Sequence, residues 1–249
     1  MLAGGVGVAL ALSSIAPTSG APQPAAASPM RVAVVGDSLT VGTLIYGDPS
    51  YLRRALRDAS LRLRPRPSAK VGRGVPEGLR ILAHAPDLPR VVLIELGTNN
   101  WRARSATAAR WIARARAILG PDRDIYWVNV RMIGSRFASH RRINRGLVRG
   151  VARDNAAAVA SGALGRSAVL NWKGYSRWVG VRPGRDGIHY SPKGYRVLAR
   201  FLAGSLAQRP AYAGFRIPRA APPPVTTPTP TPTTSSPPPP PPPDPLVVG

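Results

Sequence analysis

Three short segments of this chain carry side chains suited to attack on an acyl carbon and to the proton transfers that go with it. Gly36-Asp37-Ser38-Leu39 holds a hydroxyl and Gly97-Thr98-Asn99-Asn100 an amide donor. Asp186-Gly187-Ile188-His189 holds an imidazole with a carboxylate three positions before it. A serine hydroxyl is a weak nucleophile until a base takes its proton. His189 suits that task because imidazole titrates near neutral pH. From position 186 a carboxylate can turn back onto the other ring nitrogen, fixing the tautomer and stabilising the imidazolium. The side chain of Asn99, with the backbone N–H groups of Ser38 and Gly72, supplies donors for an oxyanion. Glycine at 72 lets a substrate approach the backbone closely.

Each of these residues also has a structural role open to it. Asp37 and Ser38 are both preferred N-cap residues for a following helix. Asn99 suits the turn after its strand, and Asp186 suits a turn through Gly187. In Val71-Gly72-Arg73-Gly74, the second glycine is the alternative to Gly72 as an oxyanion donor. Trp101, Trp172 and Trp178 are candidates for a substrate groove or for core and rim packing. His84 and His140 have no partner motif and read as surface or interface residues.

The candidate residues can act together only if strands bring them to one edge. Residues 31–35 and 90–96 are short, β-branched apolar runs stopped by glycine, the pattern of strands buried on both faces of a parallel sheet. Residues 124–130 and 167–171 read as further strands, and 61–70 as an exposed or edge strand. Helices are predicted over 50–59, 76–84, 107–119, 139–160 and 191–206. Asp48-Pro49 reads as the N-cap and first position of the first of these. The segment through Trp172, Tyr175 and Trp178 reads as an aromatic, glycine-rich loop. Alternating strands and helices imply an α/β fold with about five parallel strands and helices on both faces. In such a sheet the carboxyl ends of the strands share one edge, where ligands bind.

Composition divides the 249-residue chain into three. Residues 1–29 hold no charged side chain and resemble a secretory signal peptide or leader, with Ala25-Ala26-Ala27 as a cleavage site but no basic segment after Met1. Residues 220–249 hold seven consecutive prolines and Thr-Pro repeats, which favour an extended, unpacked tail. Residues 30–219 contain all 35 Lys and Arg and are long enough for one domain with a sizeable core. There is no cysteine, which excludes disulfides, thiol chemistry and cysteine-ligated metals. The net charge of +24 favours anionic surroundings, such as cell-envelope polymers. No nucleic-acid reading module is visible, so no specific nucleic acid is expected as a partner. The expected location is outside the cell or in its envelope, and the expected state is a monomer.

Together the three blocks resemble the SGNH/GDSL hydrolase family, named for Ser, Gly, Asn and His, which match Ser38, Gly72, Asn99 and His189 here. The likeness runs over residues 32–206 in the family's order. The third block often ends in Asp where this chain has Asn100, a position that is not one of the donors. The resemblance implies a three-layer α/β/α, flavodoxin-like fold and a triad of Ser38, Asp186 and His189. It also implies an oxyanion hole of Ser38, Gly72 and Asn99, and neither a metal nor an organic cofactor. The implied activity is a serine esterase acting on small, acetyl-type esters through an acyl-enzyme, on envelope or other polysaccharides. The alternatives are a carbohydrate O-acyltransferase using the same site, and a non-enzymatic binder of anionic envelope polymers.

Overall fold

The computed structural model describes residues 28–217. All but the last two residues of the expected leader, and the whole of the expected tail, lie outside the described residues. The central strand β1 (Met30–Gly36) is Met-Arg-Val-Ala-Val-Val-Gly. Four consecutive branched or small apolar residues leave no polar face, so the strand is stable only with cover on both sides. It is flanked on one side by the short strands β2 (Leu61–Leu63) and β3 (Ser68–Ala69), both parallel to it. On the other side lie β4 (Val91–Glu95), β5 (Asp124–Val128) and β6 (Ser167–Leu170), all parallel. A two-residue strand β7 (Arg216–Ile217) closes that edge antiparallel to β6. With β2 and β3 counted as one interrupted strand, the parallel order is the flavodoxin-like 2-1-3-4-5.

The helices are α1 (Ser38–Ile45), α2 (Tyr51–Asp58), α3 (Val75–Ala83) and α4 (Ser105–Leu119), then α5 (His140–Ala160), α6 (Trp172–Trp178) and α7 (Pro192–Leu206). Alternate strand residues feed two cores. Val32, Val34, Leu93 and Leu170 pack with Leu52 and Leu56 of α2, Trp172 of α6 and Phe201 of α7. Ala33, Val35, Ile94 and Trp127 pack with Leu79 of α3, Ile112 of α4 and Leu147 of α5. The result is the expected three-layer α/β/α arrangement.

Several local expectations are corrected. The segment 61–70 is two strands because Pro65 and Pro67 interrupt it and lack the N–H a ladder needs. Asp48 does not cap α2: a turn closed by the Tyr51 N–H on Tyr46 O (2.9 Å) holds it outside the helix, and Ser50 is the N-cap. The aromatic segment after β6 is a helix, not a loop. Asn171 caps it by accepting from the Gly174 N–H at 3.0 Å, and Asn129 holds both Asn171 Oδ1 (2.8 Å) and the Lys173 N–H (2.9 Å). Trp172 is therefore wholly buried core rather than groove, while Trp178 is exposed. His140 is buried, because α5 begins against the Phe137 carbonyl, which its Nδ1 meets at 2.7 Å.

Candidate active site

The first block sits where β1 turns into α1. Asp37 Oδ1 accepts from the Leu39 N–H at 3.0 Å and so caps α1. That leaves Ser38 as the first helical residue, with its hydroxyl free to face the last block. Ser38 Oγ lies 2.9 Å from His189 Nε2, and His189 Nδ1 lies 2.5 Å from Asp186 Oδ2. Residues 151 positions apart thus share one line of hydrogen bonds. A carboxylate on Nδ1 keeps the hydrogen there, so Nε2 presents its lone pair to the serine hydroxyl.

The two readings of Asp186 hold at once. Its Oδ1 accepts from the N–H groups of Ile188 (2.9 Å) and His189 (3.0 Å), which makes the turn, while Oδ2 takes the ring. Desolvation, the largest single influence, pushes this carboxyl up. The two N–H groups and the His189 ring outweigh it and hold Asp186 below the usual carboxylate range. It is therefore the ionised partner an imidazolium needs. The turn passes through Gly187 at φ +75°, where an added Cβ would lie 2.2 Å from Ile133 O. Only glycine fits that approach. The Ile133 N–H in turn donates to Gly187 O at 2.9 Å, and Arg136 Nη2 donates to Asp186 O at 3.0 Å.

The glycine turn and the β4 loop are held together by Arg73, a residue the sequence did not single out. Its buried guanidinium donates to Gly36 O (3.2 Å) and Ser68 O (2.8 Å), tying the glycine turn to the end of β1. Asn99 Nδ2 donates to Arg73 O at 3.0 Å, and Asn100 Oδ1 accepts from the Val75 N–H at 2.8 Å, so the β4 loop is tied to the same turn. Gly72 adopts φ +76° with open space where a side chain would stand, whereas Gly74 is the N-cap of α3 and packs against Asn100. Among the described residues no hydrogen bond joins Ser38 directly to Gly72 or Asn99. Trp101, Arg102 and Asn99 line an open pocket of about 650 Å³ beside this turn.

Beneath Ser38 lie two buried carboxyls, Asp37 and Glu95. The Asp37 N–H donates to Glu95 O at 3.2 Å, and Thr40 Oγ1 donates to Glu95 Oε2 at 2.5 Å. Burial pushes the Asp37 carboxyl up to about 6, with the Leu39 N–H, Thr98, His189 and Arg73 pulling it down by less. Burial also raises Glu95 well above its ordinary value, Asp37 adds to this, and Thr40 opposes it. The sequence signal is a lone acid, Glu95, inside the otherwise apolar run 91–96. Because both folded values are raised, ionisation of the pair opposes folding. The stability is complete below the unfolded carboxylate value and is lost as pH rises through the folded one. Asp37→Asn keeps a good N-cap and removes this group. Between pH ~4 and pH ~7.5, the variant's unfolding free energy is expected to fall less than the parent's by about 2–3 kcal/mol, the scale of a two-unit shift. Urea titrations at both pH values check this; parallel behaviour of the two proteins would show that Asp37 does not titrate in that window.

Comparison of the sequence with family models and with curated proteins gives no match. Comparison of the fold with solved structures does. It is similar to the lipase/acylhydrolase from Enterococcus faecalis, with 19% identity, 72% of this chain and 96% of that chain covered, and a TM-score of 0.54. A carbohydrate esterase family 3 structure from Talaromyces cellulolyticus is similar at 16% identity, with 72% and 97% covered and a TM-score of 0.52. So is the C-terminal catalytic domain of peptidoglycan O-acetyltransferase A from Streptococcus pneumoniae, at 15% identity, with 73% and 95% covered and a TM-score of 0.50. The chain has the three-layer fold shared by GDSL-type lipases, acylhydrolases and carbohydrate esterases.

Proposed function

We propose that this chain is a serine-dependent enzyme of acyl esters, with Ser38 as nucleophile, His189 as general base and acid, and Asp186 as its orienting carboxylate. The observation that carries this reading is the unbroken series Asp186 Oδ2, His189 Nδ1, His189 Nε2 and Ser38 Oγ, spaced at 2.5 and 2.9 Å. Ser38 Oγ forms a bond to the acyl carbon as its proton passes to His189 Nε2. The carbonyl oxygen becomes an oxyanion facing the N–H groups of Ser38 and Gly72 and the second amide hydrogen of Asn99. Collapse breaks the ester bond, and the leaving alcohol takes the proton from His189. Water then repeats the sequence on the acyl-serine and releases the acid.

His189 and Asp186 are each nearly half exposed, so water can reach the general base directly. That favours hydrolysis over transfer, which depends on keeping water out. A small acyl group, acetyl above all, on an envelope or other polysaccharide is the substrate proposed. The net charge of +24 supports attraction to anionic polymers, and the similar structures include enzymes named for carbohydrates and peptidoglycan. The full chain is expected to release p-nitrophenol from p-nitrophenyl acetate faster than from a long-chain ester, with acetate formed in equal amount. Appearance of an acetylated sugar when an oligosaccharide is added would shift the reading to O-acyl transfer. Absence of both products would remove it. Asn99→Ala is expected to lower kcat by about 10²- to 10³-fold with a smaller change in KM, as for loss of one oxyanion donor.

A further inference from the structure

Ile133, whose N–H holds the Gly187 carbonyl, also belongs to the wall of a second cavity, of about 660 Å³. Arg131, Arg141, Lys173, Arg177 and Arg182 line it together with His140, and none of its lining residues is acidic. The ion pairs among the described residues include none of these cations; the acids they use lie elsewhere. Arg131 and His140 are each only 6% exposed. Arg131 Nη1 is spent on Val181 O at 2.5 Å, at the start of the loop that leads to His189. His140 Nδ1 faces Phe137 O, and its Nε2 is buried without a protein partner.

The cations disturb one another. Burial lowers the Lys173 ammonium below its usual range, and Arg141, Arg177 and Arg131 lower it further. Burial lowers His140 too, against the Phe137 carbonyl, with Lys173 and Arg141 adding to the fall. Arg131 is lowered by burial, helped by Arg177 and Arg182 and opposed by Tyr190. Gathering like charges in a partly buried cavity destabilises a fold unless something anionic completes it. Guanidinium groups are the side chains best shaped to hold a phosphate or carboxylate through paired hydrogen bonds.

We propose that this cavity is a subsite for an oxyanion, a phosphate or carboxylate substituent carried by the substrate whose ester is presented to Ser38. The substrate half of this proposal rests on the ester reading of the site; the anion-binding half does not. The shared element is the stretch 131–135, which walls the cavity and bonds the Gly187 turn between Asp186 and His189.

Calorimetric titration of the full chain carrying Ser38→Ala separates the two. The probes are pyrophosphate and citrate at low ionic strength. Saturable binding of one of them is expected, pyrophosphate pointing to a phosphate substituent and citrate to a carboxylate. Replacing Lys173 and Arg177 together by Gln is expected to weaken that binding at least about tenfold, the scale of lost hydrogen bonds to a charged group. It should leave the melting temperature equal or higher, since repulsion is relieved. The control pair Arg110→Gln and Arg114→Gln removes the same charge from α4, where the two residues line a different cavity, and should leave binding unchanged. No saturable binding of either probe, or equal weakening by the control pair, would overturn the site. In the chain that keeps Ser38, the Lys173/Arg177 variant should raise KM about tenfold for an acetylated sugar phosphate or uronate, while p-nitrophenyl acetate turnover stays the same. An unchanged KM would overturn the link to the substrate while leaving the esterase reading intact.

Discussion

Replacing Ser38 by Ala is expected to lower kcat for p-nitrophenyl acetate by about four to six orders of magnitude, with KM nearly unchanged. The reasoning is geometric. His189 Nε2 faces the Ser38 hydroxyl at 2.9 Å, so in the proposed mechanism the substitution removes the atom that forms the acyl bond and delivers its proton to the ring. Asp186→Asn should cost nearly as much, about 10⁴-fold, because an amide facing Nδ1 no longer selects the tautomer that leaves Nε2 unprotonated. The fold should survive both changes. Ser38 is the first residue of α1, whose cap is Asp37, and Asp186 lies in an exposed turn. Circular dichroism alongside steady-state kinetics checks this. A Ser38→Ala protein that keeps more than about a tenth of the parent's kcat would sink the serine mechanism.

The largest stability effect is expected at the opposite edge of the sheet. Arg116 of α4 holds Asp154 of α5 through Nε at 3.0 Å and Nη2 at 3.0 Å, and its Nη1 donates to Gly120 O (2.9 Å) and Arg123 O (2.7 Å). Asp154 also accepts from Ser167 Oγ at 2.5 Å, at the first residue of β6. One buried pair therefore fastens two helices and a strand. Asp154→Ala would strand a largely buried guanidinium without its counter-charge, and a loss of about 3–5 kcal/mol is expected. Asp154→Asn should cost less, since one acceptor oxygen remains. Activity per folded molecule should not change, because the pair sits at the amino ends of the strands and Ser38 at a carboxyl end. Urea unfolding gives the number; a loss under about 1 kcal/mol would mean that the pair is held in place by the fold rather than holding it.

What was legible in the sequence was whatever depends on near neighbours. Val32 to Val35 and Val91 to Ile94 read as buried parallel strands because their branched side chains leave no polar face. Ser191-Pro192 and the Gly120 stop mark helix ends by local backbone rules. Ser38, Asn99, Asp186 and His189 announce a chemistry by type and by the turns around them. The segments whose structure differs from these local rules are of two kinds. Pro65, Pro67 and Asn171 are local signals whose effect on 61–70 and on 172–178 was there to be read. Others depend on partners far along the chain: β7 exists only as an edge for β6, and His140 is buried only because α5 starts against Phe137.

The residue types that could carry a reaction, and the order of strands and helices that presents them, follow from the chain alone. The 2.9 Å contact across 151 positions, the paired burial of Asp37 and Glu95, the Arg73 clasp and the cationic cavity of Arg131 and Lys173 do not. Those depend on distance and dielectric between segments remote in sequence. A charge changes its meaning with burial and with the company it keeps, and only the packed tertiary structure sets both.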